Sequence, residues 1–374
     1  MTILFLCDED NLVLRENAGY TCAFRRRGIR VVCVERGYPR NGDLGRLVES
    51  CGEKPSLILH VGSVVPFLPW NLASVDIPTA MFQVDVYFNG HRQLRVSMLF
   101  DYVLILHPGF EEMFRSAGHP APCTLPLAVD PILFQDQRQE RHFQLSSVGR
   151  TDVPIYKTRR ETLASLSAEF RMNEWHRRHE AEEVPEIYSA SQMVVNVPRD
   201  DYPVDVSMRF AEAMAAGALF ITRVPSEMTA LGFLENTHYI GYRDPSEIPS
   251  IVRRYLSDEP ARSRIAAAGQ EKVLREHTYD CRVDALLRRI ERDAARLRAP
   301  ARRWPGARVR LAYLDFFATE RETTLASAYL RQILCRSPFV AVPGAALVAR
   351  AWAQRARNQL AAKTRKWRSA RSRQ

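Results

Sequence analysis

Arg209 and Glu212 stand three residues apart in the stretch Ser207-Met208-Arg209-Phe210-Ala211-Glu212. Three residues is about one helical turn, so in a helix both side chains share a face. A guanidinium at the head of such a helix, beside the free N–H groups of its first turn, attracts an anion. The carboxylate one turn deeper accepts hydrogen bonds from hydroxyls. A positive pocket floored by a single acid suits a nucleoside diphosphate: the phosphates need the charge and the ribose needs the acceptor. Glu212 can also be read as a surface glutamate of an amphipathic helix. Its neighbours argue otherwise, because Phe210, Ala211 and residues 213–216 are apolar nearly all round. A lone carboxylate on a buried helix is costly without a partner. Arg199, in the loop before the helix, suits contact with base or phosphate, or is a solvated loop arginine.

Two residues in the first half of the chain have the chemistry of a general base. His60 closes the apolar run 56–61, and a histidine at a strand end can take a proton from a hydroxyl. The alternative is a buried histidine bonded to a backbone carbonyl. Asp85 follows the apolar run 79–84 and is the better placed of the two, although turn capping explains it nearly as well. His107 precedes Pro108-Gly109, which favours a turn role.

The elements that must hold these residues read as alternating strands and helices. Apolar runs at 2–7, 30–35, 56–61, 79–83, 102–106 and 123–127 predict parallel strands, with a helix over about 16–27 ended by Gly28. A second series follows, with strands at 143–148, 193–197 and 218–222 and helices at 158–168, 184–191 and 208–216. Asp205 or Ser207 caps the last of these helices, and Gly217 closes it as a left-handed residue. Strand, loop, helix, glycine and strand over 193–222 make one βαβ unit. The polar stretch 171–186 is short and leaves room for one strand fewer than usual. Helices 247–256, 261–277 and 279–298 complete this half. No GxGxxG follows the first strand, so a dinucleotide fingerprint is absent.

Length bounds the organisation. The 374 residues suit two domains and an appendage, and 46% apolar with 26% charged residues is ordinary globular composition. Residues 1–6 lack a basic n-region, and Asp8, Glu9 and Asp10 interrupt the apolar run, so it predicts a strand and no signal peptide. Seven scattered cysteines without a CxxC pair predict reduced thiols and a cytoplasmic setting. From Arg296 onward there are 18 Lys and Arg against 3 Asp and Glu, a net +15; the whole chain is +10, so residues 1–295 carry −5.

The stretch Arg209-Phe210-Ala211-Glu212-Ala213-Met214-Ala215-Ala216-Gly217-Ala218, with Asp244-Pro245-Ser246-Glu247-Ile248 and the GQEKVLREHT of 269–278, resembles the C-terminal half of a GT-B glycosyltransferase. More narrowly it is similar to family 1/4-like proteins of the CgeB type. The likeness covers about 143–290 well and reaches the first half loosely, through residues 101–103 and 125–130. It implies an α/β protein of GT-B fold: two Rossmann-like domains facing across a cleft, followed by a basic helical tail. The expected division is an acceptor domain over 1–140, a nucleotide-sugar donor domain over 141–295 and the tail over 296–374. His60 and Asp85 then face the cleft. The glutamate matching Glu212 holds the ribose, and the loop with Ser207 and Met208 holds phosphates together with Arg209. Gly149-Arg150 after the 143–148 strand opens the donor site, with Lys157 reaching the diphosphate; alternatively residues 157–160 only decorate a helix start. Gly19, in the loop expected after the first strand, lets backbone approach the acceptor or a donor phosphate, or is ordinary turn chemistry. Retaining members carry a second glutamate eight positions before the first, where this chain has Val204.

The reaction implied is transfer of a sugar from a nucleotide-diphosphate sugar to a hydroxyl of a glycan, lipid-linked or protein acceptor. No cofactor is expected. No metal is expected either, since Asp200-Asp201 reads as a turn and metal independence is the ordinary state of the fold. The alternative is a GT-B-like protein that binds a nucleotide sugar or polysaccharide without turnover. A sugar-nucleotide epimerase is a third class. In the tail, Pro343 starts a predicted helix to about 367 in which Leu347, Val348, Trp352 and Leu360 alternate with arginines and lysines. Such a helix suits peripheral contact with the inner face of an anionic membrane, or is a solvated basic extension. It carries no signature of specific nucleic-acid reading.

Overall fold

A computed structural model of the chain describes residues 1–336 apart from 14, 61–66, 84, 294–297 and 321, and beyond them positions 345, 346, 349 and 353. The helix predicted from Pro343 falls almost wholly outside the described residues. The chain forms two compact units. The first takes residues 1–17, 28–124 and the described residues from 290 onward; the second takes 18–27 and 125–289.

Unit 1 is built on six parallel strands: β1 (Thr2–Asp8), β2 (Arg30–Val34), β3 (Leu57–His60), β4 (Thr79–Gln83), β5 (Tyr102–Ile105) and β6 (Pro122–Thr124). Their order is β2-β1-β3-β4-β5-β6, so the chain reverses direction across the sheet between β1 and β3. β1, β3, β4 and β5 are mostly apolar and buried, as in parallel sheets covered on both faces, while edge strand β2 is largely half-buried. One cover is unexpected. Residues anticipated as the start of a basic tail form helices Gly306–Thr319 and Thr323–Arg336, and they belong to the core of this unit. Leu311, Leu314, Phe317 and Ile333 pack with Leu4, Ile58, Met81 and Phe100. Tyr313 stacks on Tyr329 at 5.3 Å between ring centroids, and Arg95 pairs with Asp315 at 2.8 Å. Helices suit the helical tail expected here; their place in the core was not expected, and it follows from the apolar face they carry beneath the region's net charge. The divisions at 140 and 295 therefore differ from the grouping seen.

Unit 2 has four parallel strands, β7 (Phe143–Ser146), β8 (Ser191–Asn196), β9 (Leu219–Arg223) and β10 (Ile240–Tyr242), in the order β10-β9-β8-β7. The βαβ unit read at 193–222 is present: β8 pairs in parallel with β9, Met193 opposite Leu219, across helix Arg209–Ala215. Gly217 ends that helix at φ +77°, with Gly217 N–H on Met214 O and Ala218 N–H on Ala213 O. β10 has only three residues, too few for a periodic signal. Near the polar stretch only an isolated bridge forms, Leu145 with Met172. Gly19 is not in a loop. It lies within helix Arg15–Arg26, where a Cβ would come within 2.1 Å of the Tyr279 ring. Its bareness lets an aromatic ring pack on the helix. Arg26 at the end of this helix and Arg27 just after it bind Asp280, with Asp130 and Asp284 as second partners.

Candidate anion site in unit 2

The candidate site starts at the carboxyl end of β8. Asn196, the last residue of that strand, is polar at the end of an apolar run and is 1% exposed. Its amide nitrogen donates to the Asp205 carbonyl and to Thr222 Oγ1, both at 3.0 Å. That leaves its Oδ1 to accept from Arg209 Nη1 at 3.2 Å. The same Nη1 donates to Ser207 Oγ at 2.8 Å, and Arg209 Nε donates to the Val148 carbonyl. Ser207 holds φ at +49°, and its N–H is taken by Asp205 Oδ1 at 2.7 Å. Met208 is the N-cap residue, with its carbonyl accepting from Ala211 and Glu212 N–H at 3.1 Å.

The guanidinium of Arg209 packs against Gly149. That residue sits at φ +152°, and a Cβ there would stand 2.1 Å from Arg209 Nη2. Only glycine allows this approach.

Arg159 is the second cation, 3% exposed on helix Lys157–Ser167. Its Nε donates to the Val197 carbonyl at 2.6 Å and its Nη1 to the Arg150 carbonyl at 2.9 Å, and it stacks 4.4 Å from the Tyr156 ring centroid. Burial pulls its pKa down to about 9, and the charge of Arg209 pulls the same way. Among the described residues, neither arginine has a carboxylate within 4.0 Å. A buried guanidinium and a half-buried one, both held by neutral oxygens, are costly unless an anion shares the site. Helix Arg209–Ala215 has seven residues, so the positive character here comes from side chains more than from a long helix dipole.

Glu212 is half-buried on the next turn, and its charge is felt by the fully buried Tyr188. Burial and then Glu212 push the Tyr188 phenol upward, while Arg209 and Arg159 push it down. Glu212, Arg209 and Arg159 therefore share one electrostatic neighbourhood, as the spacing at 209–212 predicts for the first two.

The remaining predicted residues are not drawn in. Arg150 contributes its carbonyl, while its side chain is exposed and forked onto Asp152 at 3.0 Å. Lys157 points to solvent near Glu161, at 3.9 Å. Arg199 is clamped by Asp201 with two bonds of 2.9 Å, which gives the acid pair the turn role expected of it. Val204 offers its carbonyl to Glu227 N–H at 3.0 Å.

In unit 1, Asp85 is exposed at the head of helix Val86–Ser97 in left-handed conformation, φ +51°, with Tyr87 OH donating to it at 3.2 Å. It is not a side-chain cap. His60 is buried between Phe100 and Phe316, 5.7 and 6.1 Å away, and burial lowers its pKa to about 4. The described residues place it in the core, as the buried alternative has it. Arg159 was read only as one of the basic residues at 157–160, and it is the buried one of them. Arg159, Leu163 and Leu166 fall at i, i+4 and i+7 and are the buried residues of their helix, so the signal was a cation in register with an apolar face.

Residues 133–288 match a family model described as glycosyl transferase-like. None of the curated proteins matches the chain. Among solved structures, HepE of Anabaena in complex with UDP and glucose is similar at TM-score 0.54 and 14% identity, over 78% of this chain and 100% of that one. Sucrose-phosphate synthase from Thermosynechococcus elongatus is similar at TM-score 0.54 and 12% identity, over 79% and 99%. A glycosyltransferase from Rickettsia africae gives TM-score 0.54 at 9% identity, over 79% and 98%. The fold is GT-B. Among the described residues, no helix is long and apolar enough to cross a membrane.

Proposed function

We propose, on the premise of a GT-B fold whose second half is glycosyltransferase-like, that this chain transfers a sugar from a nucleoside diphosphate sugar to an acceptor hydroxyl. The observation that carries this reading is the pair Arg159 and Arg209, one buried and one half-buried cation, both bonded to neutral oxygens within the stretch that matches the family. UDP is the nucleotide in the similar HepE structure, and it is the first donor nucleotide to try here.

In the reaction, the bond from the anomeric carbon to the diphosphate oxygen breaks and its electron pair leaves with the diphosphate. Arg209 and Arg159 stabilise that charge, which is what an electrostatic catalyst must do. Ser207 and Met208 shape the loop beneath it, and Glu212 accepts from the ribose hydroxyls. Arg150, Lys157 and Arg199 serve by exchanging their carboxylate partners for phosphate. The acceptor oxygen bonds to the anomeric carbon and gives its proton to Asp85, which is exposed where His60 is enclosed. With two guanidiniums supplying the positive charge, the reaction is proposed to proceed without a metal. The narrower affiliation is the family 1/4-like CgeB type, in the cytoplasm. The acceptor is a glycan, a lipid-linked sugar or a protein, and the basic residues beyond 296 suit the inner face of an anionic membrane.

The test is calorimetric titration with UDP and UDP-glucose. Glu212→Ala should weaken affinity more than tenfold, at least about 1.4 kcal/mol, with the melting transition unchanged. An unaltered affinity contradicts the assignment.

A further inference from the structure

Unit 1 holds a cavity of about 330 Å³ that none of the chemistry above uses. Its lining includes Trp70, Ser74, Arg302, Trp304, Val309 and Tyr313. It is formed where the connection from β3 to β4 meets the 300–303 turn and the start of helix Gly306–Thr319. This turn sits beside the amino ends of β4 and β5: Ala301 N–H binds the Met98 carbonyl at 3.0 Å and Ala299 N–H binds Asp101 Oδ1 at 2.6 Å. Asp101 itself caps the first residue of β4 through Thr79 N–H at 2.9 Å. Ligands of open α/β sheets bind at the opposite, carboxyl ends of the strands. The cavity is therefore separate from the end of this sheet where substrate is expected.

Its walls have a definite chemistry. The Trp70 indole is 53% exposed, a large aromatic surface left uncovered at the rim. Trp304 is partly buried and has one ring face occupied by the Arg308 guanidinium at 3.9 Å, which fixes the ring. Tyr313 is locked beneath by bonds to the Pro69 carbonyl at 2.6 Å and from Leu72 N–H at 3.2 Å. The Ser74 hydroxyl is exposed and has no protein partner among the described residues, and Arg302 Nε is buried without a hydrogen bond, 4.0 Å from Asp101 Oδ1, while its Nη2 donates to the Val75 carbonyl. No carboxylate lines the cavity. Two indole rings and hydrogen-bonding groups lining one cavity fit a ligand that is apolar on its faces and polar round its edge. A pyranose ring has that form: its C–H face stacks on an aromatic plane while its hydroxyls point outward.

The geometry points to a second carbohydrate site within unit 1, in which Trp70 and Trp304 grip a sugar ring of a glycan chain. It takes the saccharide as a ligand, and no bond is made or broken there. The site does not depend on the transfer reaction proposed above, since glycan binding requires no donor.

Calorimetric titration of the full chain with cellohexaose, maltohexaose and chitohexaose tests it, alongside UDP. At least one hexasaccharide should bind saturably. Trp70→Ala should weaken that binding tenfold or more, Trp70→Phe should hold it within about threefold, and both should leave UDP affinity unchanged. Because Trp70 is exposed, neither variant should alter the melting transition. The proposal falls if no hexasaccharide binds, or if binding is indifferent to Trp70→Ala. It falls equally if only phosphatidylglycerol vesicles bind in a Trp70-dependent way, which would make the patch a membrane contact. Failure of UDP to bind the unaltered chain would sink the donor reading and leave this one standing.

Discussion

His60 in unit 1 and Arg159 in unit 2 are both basic side chains removed from water, and they respond in opposite ways. His60 lies among aromatic rings and gives up its charge: burial lowers its pKa to about 4, so it is neutral near pH 7. Arg159 falls only to about 9 and stays charged, held by two carbonyls with another cation nearby. A histidine can pay for burial by losing a proton, whereas a guanidinium near neutral pH cannot. The first is a packing residue of a core. The second keeps a charge that calls for an anion, and this is why the candidate site belongs to unit 2.

The comparison can be broken first through acid stability, where the effect is largest. His60 has its folded pKa depressed below the ordinary 6.5, so the unfolded chain binds the proton first as pH falls. Stability from this group is complete above 6.5 and is lost as pH drops toward about 4, to the order of 3 kcal/mol. His119 in the same unit, lowered by burial to about 4, adds a limb of the same sign. His60→Leu should therefore flatten the dependence of denaturant midpoint on pH between 6.5 and 4. An unchanged slope would mean that His60 protonates freely and could yet serve as a base.

Next comes the cation pair. Arg209→Met should cost UDP binding about 2 kcal/mol, roughly thirtyfold, as expected for loss of a hydrogen bond to a charged group, with little cost to folding. Equal binding in the variant would place the anion elsewhere. Gly149→Ala sharpens the same point, because a Cβ must displace the Arg209 guanidinium. It should weaken UDP severalfold and lower stability by about 1 kcal/mol, the scale of strain at such a backbone position. The smallest effect belongs to Lys157→Ala. An exposed lysine 3.9 Å from Glu161 contributes within about 0.5 kcal/mol to stability, so the melting transition should scarcely move. A large loss of UDP affinity in that variant would show that the side chain swings inward on binding.

Much of this was legible before any coordinates. The strands at 2–8, 79–83 and 191–196, the helix carrying Arg209 and Glu212, and the glycine that closes it all rest on local rules: apolar runs, caps and left-handed termini. Such rules act over a few residues, and those residues are adjacent in the chain. What the sequence misjudged had a common cause. Gly19 was read from its neighbours, yet its bareness answers to Tyr279, some 260 positions away. Residues 306–336 were read as part of a basic helical tail, yet their apolar face answers to strands at the other end of the chain.

The sequence by itself determined a doubly wound α/β chain and a helix start bearing a cation and an acid one turn apart, because period and capping are written residue by residue. Only the tertiary structure decided which cations stand together. Arg150, Lys157 and Arg199 meet carboxylates two to four residues away, while among the described residues Arg159 and Arg209 meet neutral oxygens alone, drawn from residues up to 61 positions distant. The charge a side chain keeps depends on what surrounds it in space, and that is settled when the strands align.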